Sequence, residues 1–123
     1  MDRVFIRLGA LAGFVGVALG AFGAHALRGR LSADQLGVFE TGVRYQLLHA
    51  LALLLVGVLL GRQPARLTAA AGWCFTGGIV LFSGSLYLLS IAGTTAAGIV
   101  TPLGGLFLLA GWACLALATL SGK

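Results

Sequence analysis

The sequence predicts an all-α protein: a four-helix transmembrane bundle forming one integral membrane domain, with a short amphipathic interfacial helix between the first and second spans. Two observations carry this. Of its 123 residues, 59% are hydrophobic and 9% are charged, with a mean hydropathy of +1.06, whereas soluble domains carry about one-quarter charged residues. The charges also cluster, at Asp2 to Arg7, Arg28 to Arg44, Arg62 to Arg66 and Lys123. Between them lie uncharged stretches of 20 residues (Leu8 to Leu27), 17 residues (Tyr45 to Gly61) and 56 residues (after Arg66). About 20 apolar residues cross a hydrocarbon core of about 30 Å, so the last stretch holds two crossings and a turn. The spans are expected at about 4–27, 43–61, 67–91 and 99–121, and the interfacial helix at about 32–42.

The first span carries Gly9, Gly13, Gly16, Gly20 and Gly23. Spacings of 4, 3, 4 and 3 keep all five on one face, a small-residue seam that lets two backbones approach in lipid. His25 lies about 200° round from Gly23, near Phe14, Ala18 and Phe22, and so off the seam. Arg3, Arg7 and Ala24-His25-Ala26 imitate a signal peptide, but the run from Leu8 to Ala24 exceeds a usual h-region, and a retained span is expected.

Ser32 with Gln35 three residues later forms a capping-box pattern, with Asp34 favourable in the first turn. Leu36, Phe39, Val43 and Leu47 follow on one face. This amphipathic helix is expected to run into the second span near Gly42. Glu40 and Arg44 have the order and spacing of a helical ion pair. Gly61-Arg62-Gln63-Pro64-Ala65-Arg66 makes a polar turn, the third helix is uncharged, and Gly93-Thr94-Thr95 breaks it. Thr101-Pro102 reads as an N-cap followed by proline at the first position of the fourth helix.

Four crossings put Arg3, Arg7, Arg62, Arg66 and Lys123 on one side and Arg28, Arg30 and Arg44 on the other. The positive-inside rule then places both termini in the cytoplasm. With this topology His25, Tyr45, Gln46, His49, Ser83, Ser85, Tyr87 and Thr101 all fall in the outer half. Trp73, Cys74 and Trp112 fall among the Leu, Ala, Gly and Val of the inner half. Tyr45, Gln46 and His49 share a helix face, and polar groups at membrane depth face protein or a wet cavity. The expected ligand-binding residues of an outer polar pocket are therefore His25, Tyr45, Gln46, His49, Ser83, Ser85 and Tyr87. A plainer reading stands beside it: histidine and tyrosine near helix ends anchor spans at the interface, and serines bond their own helix carbonyls.

No cofactor is expected. Two histidines on different segments without HxxxH or HxxE spacing do not make a metal site, and no G-x-S-x-G accompanies Ser83 or Ser85. Cys74 and Cys114, inside apolar runs without CxxC spacing, read as free thiols. The arginines flank apolar runs without interleaved aromatics, so the net charge of +5 marks topology and not a nucleic-acid partner.

Four stretches, "GAFGAH" (Gly20 to His25), "FETGVRYQLLHALAL" (Phe39 to Leu53), "LFSGSLYLL" (Leu81 to Leu89) and "TPLGG" with "AGW" (Thr101 to Gly105, Ala110 to Trp112), occur in this order. Together the chain resembles the small four-span inner-membrane proteins called YgdD-like, domain-of-unknown-function family 423, related to eukaryotic transmembrane protein 256. The resemblance implies a multi-pass protein of the bacterial inner (plasma) membrane and carries over no catalytic residue. The partners expected are the lipid bilayer, a lipid or small-molecule ligand, and a second copy or another membrane protein. Three functional classes follow: a binding or transport-associated module built on the outer pocket, an assembly partner docking helices through glycine-rich faces, and, least favoured, a membrane enzyme.

Overall fold

The computed structural model describes residues 2–120. Four helices are long and apolar enough to cross a membrane: α1 (Asp2–Leu27), α2 (Ala33–Arg62), α3 (Arg66–Ala92) and α4 (Ala97–Leu120). The expected end of the fourth span near Ser121, and Lys123, lie outside the described residues.

In α1 the glycine seam faces α2. A methyl group on Gly16 would sit 2.6 Å from Leu47, one on Gly9 2.8 Å from the Ala50 carbonyl oxygen, and one on Gly23 2.6 Å from the Phe39 ring. The absence of side chains thus lets α1 lie directly on α2, and dispersion contact holds the pair. The last turn of α1, Gly23–Leu27, is a π-helical turn. Gly29 (φ 91°) reverses the chain towards α2.

Ser32 caps α2 as expected: its side chain accepts from the Gln35 N–H at 3.1 Å, and the Gln35 carboxamide accepts from the Ser32 N–H at 3.1 Å. From there the amphipathic segment and the second span form one unbroken helix of 30 residues. At 1.5 Å per residue it is about 45 Å long and so exceeds the hydrocarbon core. Phe39 and Val43 pack with Leu27, Leu36 and Leu47, as the amphipathic face predicts. Glu40 and Arg44 are both exposed and form no ion pair with each other, because water competes for both charges at an exposed helix face.

α3 is widened by two π-helical turns, Ile79–Ser83 and Leu88–Ala92, and Gly93 (φ 66°) ends it in the left-handed conformation. The fourth helix departs from expectation at its start. It begins at Ala97, after tight turns in which the N–H groups of Ala97, Gly98 and Ile99 donate to the carbonyls of Thr94, Thr95 and Ala96. Thr101 is therefore not an N-cap; its hydroxyl reaches the Ala97 carbonyl at 3.3 Å, and Pro102 lies inside the helix. There it removes the N–H that would have donated to the Gly98 carbonyl, a loss confined to the first two turns of the helix.

The second hydrophobic cluster joins all four helices, through Phe5, Leu53, Val56, Phe75, Leu108 and Leu115. Against α3, Gly104 and Gly111 of α4 admit Phe82 and Phe75, while Gly78 of α3 admits Leu108. Thus α1 lies on α2, α2 on α3, and α3 on α4.

Candidate functional site

The expected polar residues separate into two groups, and His25 joins neither. His25 is exposed in the π-helical turn that ends α1 and makes no hydrogen bond among the described residues. It shares no contact with His49.

The first group is an internal lattice tying α3 to its neighbours. Tyr87 donates its hydroxyl to Gln46 Oε1 at 2.6 Å, and Gln46 Nε2 donates to the Ala12 carbonyl of α1 at 2.8 Å. Gly42, one turn before Gln46, makes room for the Tyr87 ring, and its carbonyl accepts from Ser83 Oγ at 2.7 Å. Ser85 looks the other way, towards α4, where its hydroxyl meets that of Thr101 at 2.5 Å and donates to its own helix at Phe82. Residues two apart on a helix are separated by about 200°, so Ser83 and Ser85 serve opposite neighbours and cannot line one pocket. Ser90 completes the row by donating to the Tyr87 carbonyl. Among the described residues no fully buried side-chain N or O lacks a partner.

The second group is a cleft. Between α2 and α4, with Phe82 of α3 beneath, lies a cavity of about 400 Å³ lined by Tyr45, Leu48, His49, Pro102, Gly105, Leu106, Leu109 and Trp112, among others. His49 is 2% exposed. Its Nδ1 lies 2.7 Å from the Tyr45 carbonyl oxygen, and the Trp112 indole N–H donates to its Nε2 at 3.0 Å. An indole nitrogen only donates, so Nε2 must accept and the proton sits on Nδ1, where the carbonyl receives it. Phe75 packs against both the His49 ring and the Trp112 ring, at centroid distances of 5.5 and 4.9 Å.

Tyr45 leans on Phe82, with ring centroids 4.9 Å apart. It is 39% exposed, and its hydroxyl has no hydrogen-bond partner among the described residues. The cleft therefore offers an apolar trough with one unengaged hydroxyl and a buried histidine held by an indole.

Trp112 is the residue that sequence reasoning missed. It was expected in the inner half, apart from the histidines. Position along the sequence gives the depth of a residue but not its partner: His49 lies 13 residues before Arg62, about 20 Å from that end of the helix, and its Nε2 meets the Trp112 indole. Trp112 lies on α4, which runs in the same direction as α2, and its indole reaches His49 across the cleft. An indole with nothing but apolar neighbours in sequence, at a depth where its N–H must find an acceptor, was the available signal. Cys74 and Cys114 are free, as expected.

Comparison with known proteins gives the following. The family described as "Protein of unknown function (DUF423)" matches residues 19–105. A UPF0382 membrane protein of Staphylococcus haemolyticus is 44% identical over 117 residues, covering 95% of each chain. The UPF0382 membrane protein YwdK of Bacillus subtilis is 44% identical over 117 residues, covering 94% of this chain and 95% of the relative. A UPF0382 membrane protein of Staphylococcus epidermidis is 43% identical over 118 residues, 96% of each. No solved structure matches.

Proposed function

Because this chain belongs to the DUF423 family of membrane proteins, whose description assigns no activity, we propose a function from the cleft itself: a membrane-embedded binding module that takes an amphiphile from the bilayer between α2 and α4. The observation that carries this is the Tyr45 hydroxyl, without a partner beside an apolar cavity of about 400 Å³. Tyr45 follows exposed Arg44 near the outer boundary of the hydrocarbon, so its hydroxyl is placed to meet the polar head of an amphiphile whose apolar part enters the trough. The cavity is within the size range of small-molecule sites, about 300–1,000 Å³. Its walls of Leu48, Pro102, Leu106 and Leu109 suit an acyl chain or a flat apolar ring. An intramembrane histidine is a functional-site candidate in its own right, and here His49 and Trp112 fix the deep end of the trough. The Gln46, Ser83, Ser85 and Tyr87 lattice serves this reading by holding α3 as the floor.

The assembly reading has less support, since the α1 glycine seam is spent on α2 within the molecule. We place the protein in the bacterial inner membrane with both termini cytoplasmic, supported by the excess of arginine and lysine on the Arg62 side.

The test is mass spectrometry of lipids and small molecules that stay with the protein through purification from its native membrane. A species retained by the wild-type protein should fall about fivefold in Tyr45→Phe, the expected loss for one hydrogen bond of about 1 kcal/mol. It should disappear in Gly105→Leu, which fills the trough. If the retained set is the same in all three proteins, the cleft binds nothing selectively and the proposal is wrong.

A further inference from the structure

A second cavity lies at the opposite end of the molecule from the α1–α2 connection, beside the Arg62–Arg66 turn. It measures about 350 Å³ and is lined by Gln63, Ala65, Thr68 and Thr119, with Leu59 and Leu115 on its apolar side. Three features lie at or beside it.

The first is the start of α3. Its N-cap is Ala65, whose side chain cannot accept a hydrogen bond, and no side chain caps the helix. The first capping bond within the turn runs from the Ala69 N–H to the Ala65 carbonyl. The amides of Arg66, Leu67 and Thr68 are left pointing out of the helix end, where the macrodipole favours negative charge. The second is Thr68, 5% exposed and, among the described residues, without a side-chain hydrogen bond. Among the described residues no fully sealed polar atom lacks a partner, so the little area Thr68 keeps includes its hydroxyl, and Thr68 lines the cavity. The third is charge. Arg62 and Arg66 flank the lining residues Gln63 and Ala65 in sequence and are both exposed, outside the lining itself but on flexible side chains long enough to reach its mouth.

We propose that this cavity binds a phosphate group, received by the free amides of the α3 N-terminus and the Thr68 hydroxyl and neutralised by Arg62 and Arg66. Helix N-termini with free amides are anion sites, and a hydroxyl plus guanidinium groups gives the charge-assisted bonds that phosphate oxygens accept. The apolar side at Leu59 and Leu115 fits the glycerol and first methylenes of a lipid, so the phosphate belongs either to an anionic lipid headgroup or to the free ion. The site is independent of the α2–α4 cleft and stands or falls without it.

The experiment uses the full chain in phosphatidylcholine nanodiscs doped with phosphatidylglycerol, with retained phosphatidylglycerol counted by native mass spectrometry. Thr68→Val, which keeps shape and charge but removes the hydroxyl, should lower retention about fivefold, and Arg66→Gln about tenfold, as expected for bonds to a charged group. Thr68→Ser should retain wild-type behaviour. Where Thr68→Val does not fold, Thr68→Ala read against Thr68→Ser makes the same comparison. In a second arm, inorganic phosphate is titrated in undoped nanodiscs and the thermal unfolding midpoint is followed. A Thr68-dependent rise there, with phosphatidylglycerol retention indifferent to Thr68, assigns the site to the free ion; the converse assigns it to the lipid. A diffuse surface potential responds to charge alone. If both arms ignore the Thr68 substitutions while Arg7→Gln lowers phosphatidylglycerol retention as much as Arg66→Gln, the proposal is overturned.

Discussion

Gln46 illustrates what one amide does between apolar helices. It accepts from Tyr87 and donates to the Ala12 carbonyl, and so connects α3 to α1 through α2 while being 5% exposed. Gln46→Leu keeps the volume and removes both bonds, leaving the Tyr87 hydroxyl without its acceptor; a loss of about 1–2 kcal/mol is expected. Tyr87→Phe should cost about 1 kcal/mol. Because each substitution breaks the same bond, the double variant should fall short of the sum by about 1 kcal/mol. Unfolding of the reconstituted protein by titration with denaturing detergent measures all three. Additive losses would mean that the Tyr87 to Gln46 bond contributes nothing beyond shape. At this scale the sequence was informative about which residues matter and silent about whom they meet. Gln46, Ser83, Ser85 and Tyr87 stood out as polar groups at depth, a property of position alone. Their pairing depends on rotation about each helix axis, which sent Ser83 and Ser85 to different neighbours. His25 stood out for the same reason, yet it lies at the helix end, where lipid headgroups and water can satisfy it.

The helices meet through glycine, and the consequences differ by partner. At Gly104 a methyl group would lie 2.7 Å from the Cα of Phe82, in the backbone of α3. Backbone cannot rotate away as a side chain can, so Gly104→Ala must push α4 off α3. The expected loss is about 3 kcal/mol, together with separation of Ser85 from Thr101. Gly37 is the contrast, helical, exposed and with nothing within 4 Å of its position. Gly37→Ala should leave the fold unchanged and gain up to about 1 kcal/mol from helix propensity. Thermal unfolding in one detergent compares the two, and a neutral Gly104→Ala would show that α3 and α4 are not held at backbone contact. The α1 seam was legible because five glycines keep one helical face. The role of Gly104 and Gly111 was not, since glycines seven apart are compatible with any partner and only the opposing Phe82 and Phe75 give them meaning. The start of α4 was misread for a related reason. Thr-Pro signals an N-cap when the preceding backbone is extended, but here the turns through Thr94, Thr95 and Ala96 had already begun the helix.

For the molecule as a whole, four apolar helices, with both sequence ends expected on the side of the Arg62–Arg66 turn, were readable from charge clustering, because burying an arginine in hydrocarbon costs far more than any local preference can offset. Pairing within the bundle was less readable. Which side chains meet across α2, as His49 and Trp112 do, depends on rotation about each helix axis. The capped segment from Ser32 continues straight into the span as one helix of 30 residues. That length has a measurable consequence. A helix of about 45 Å in a core of about 30 Å carries its first turns clear of hydrocarbon. On a background of Cys74→Ala and Cys114→Ala, Ser32→Cys and Thr95→Cys should react with a membrane-impermeant maleimide from one face of sealed vesicles. Arg3→Cys and Arg62→Cys should react only from the other face, the cytoplasmic one under the positive-inside rule, and His49→Cys from neither until detergent is added. Opposite faces for Ser32 and Thr95 would make the number of crossings between them odd and dismantle the bundle. If the topology holds but His49→Cys reacts in the intact bilayer, the trough is wet rather than lipid-filled, and the amphiphile proposed for it would have to be a water-soluble solute.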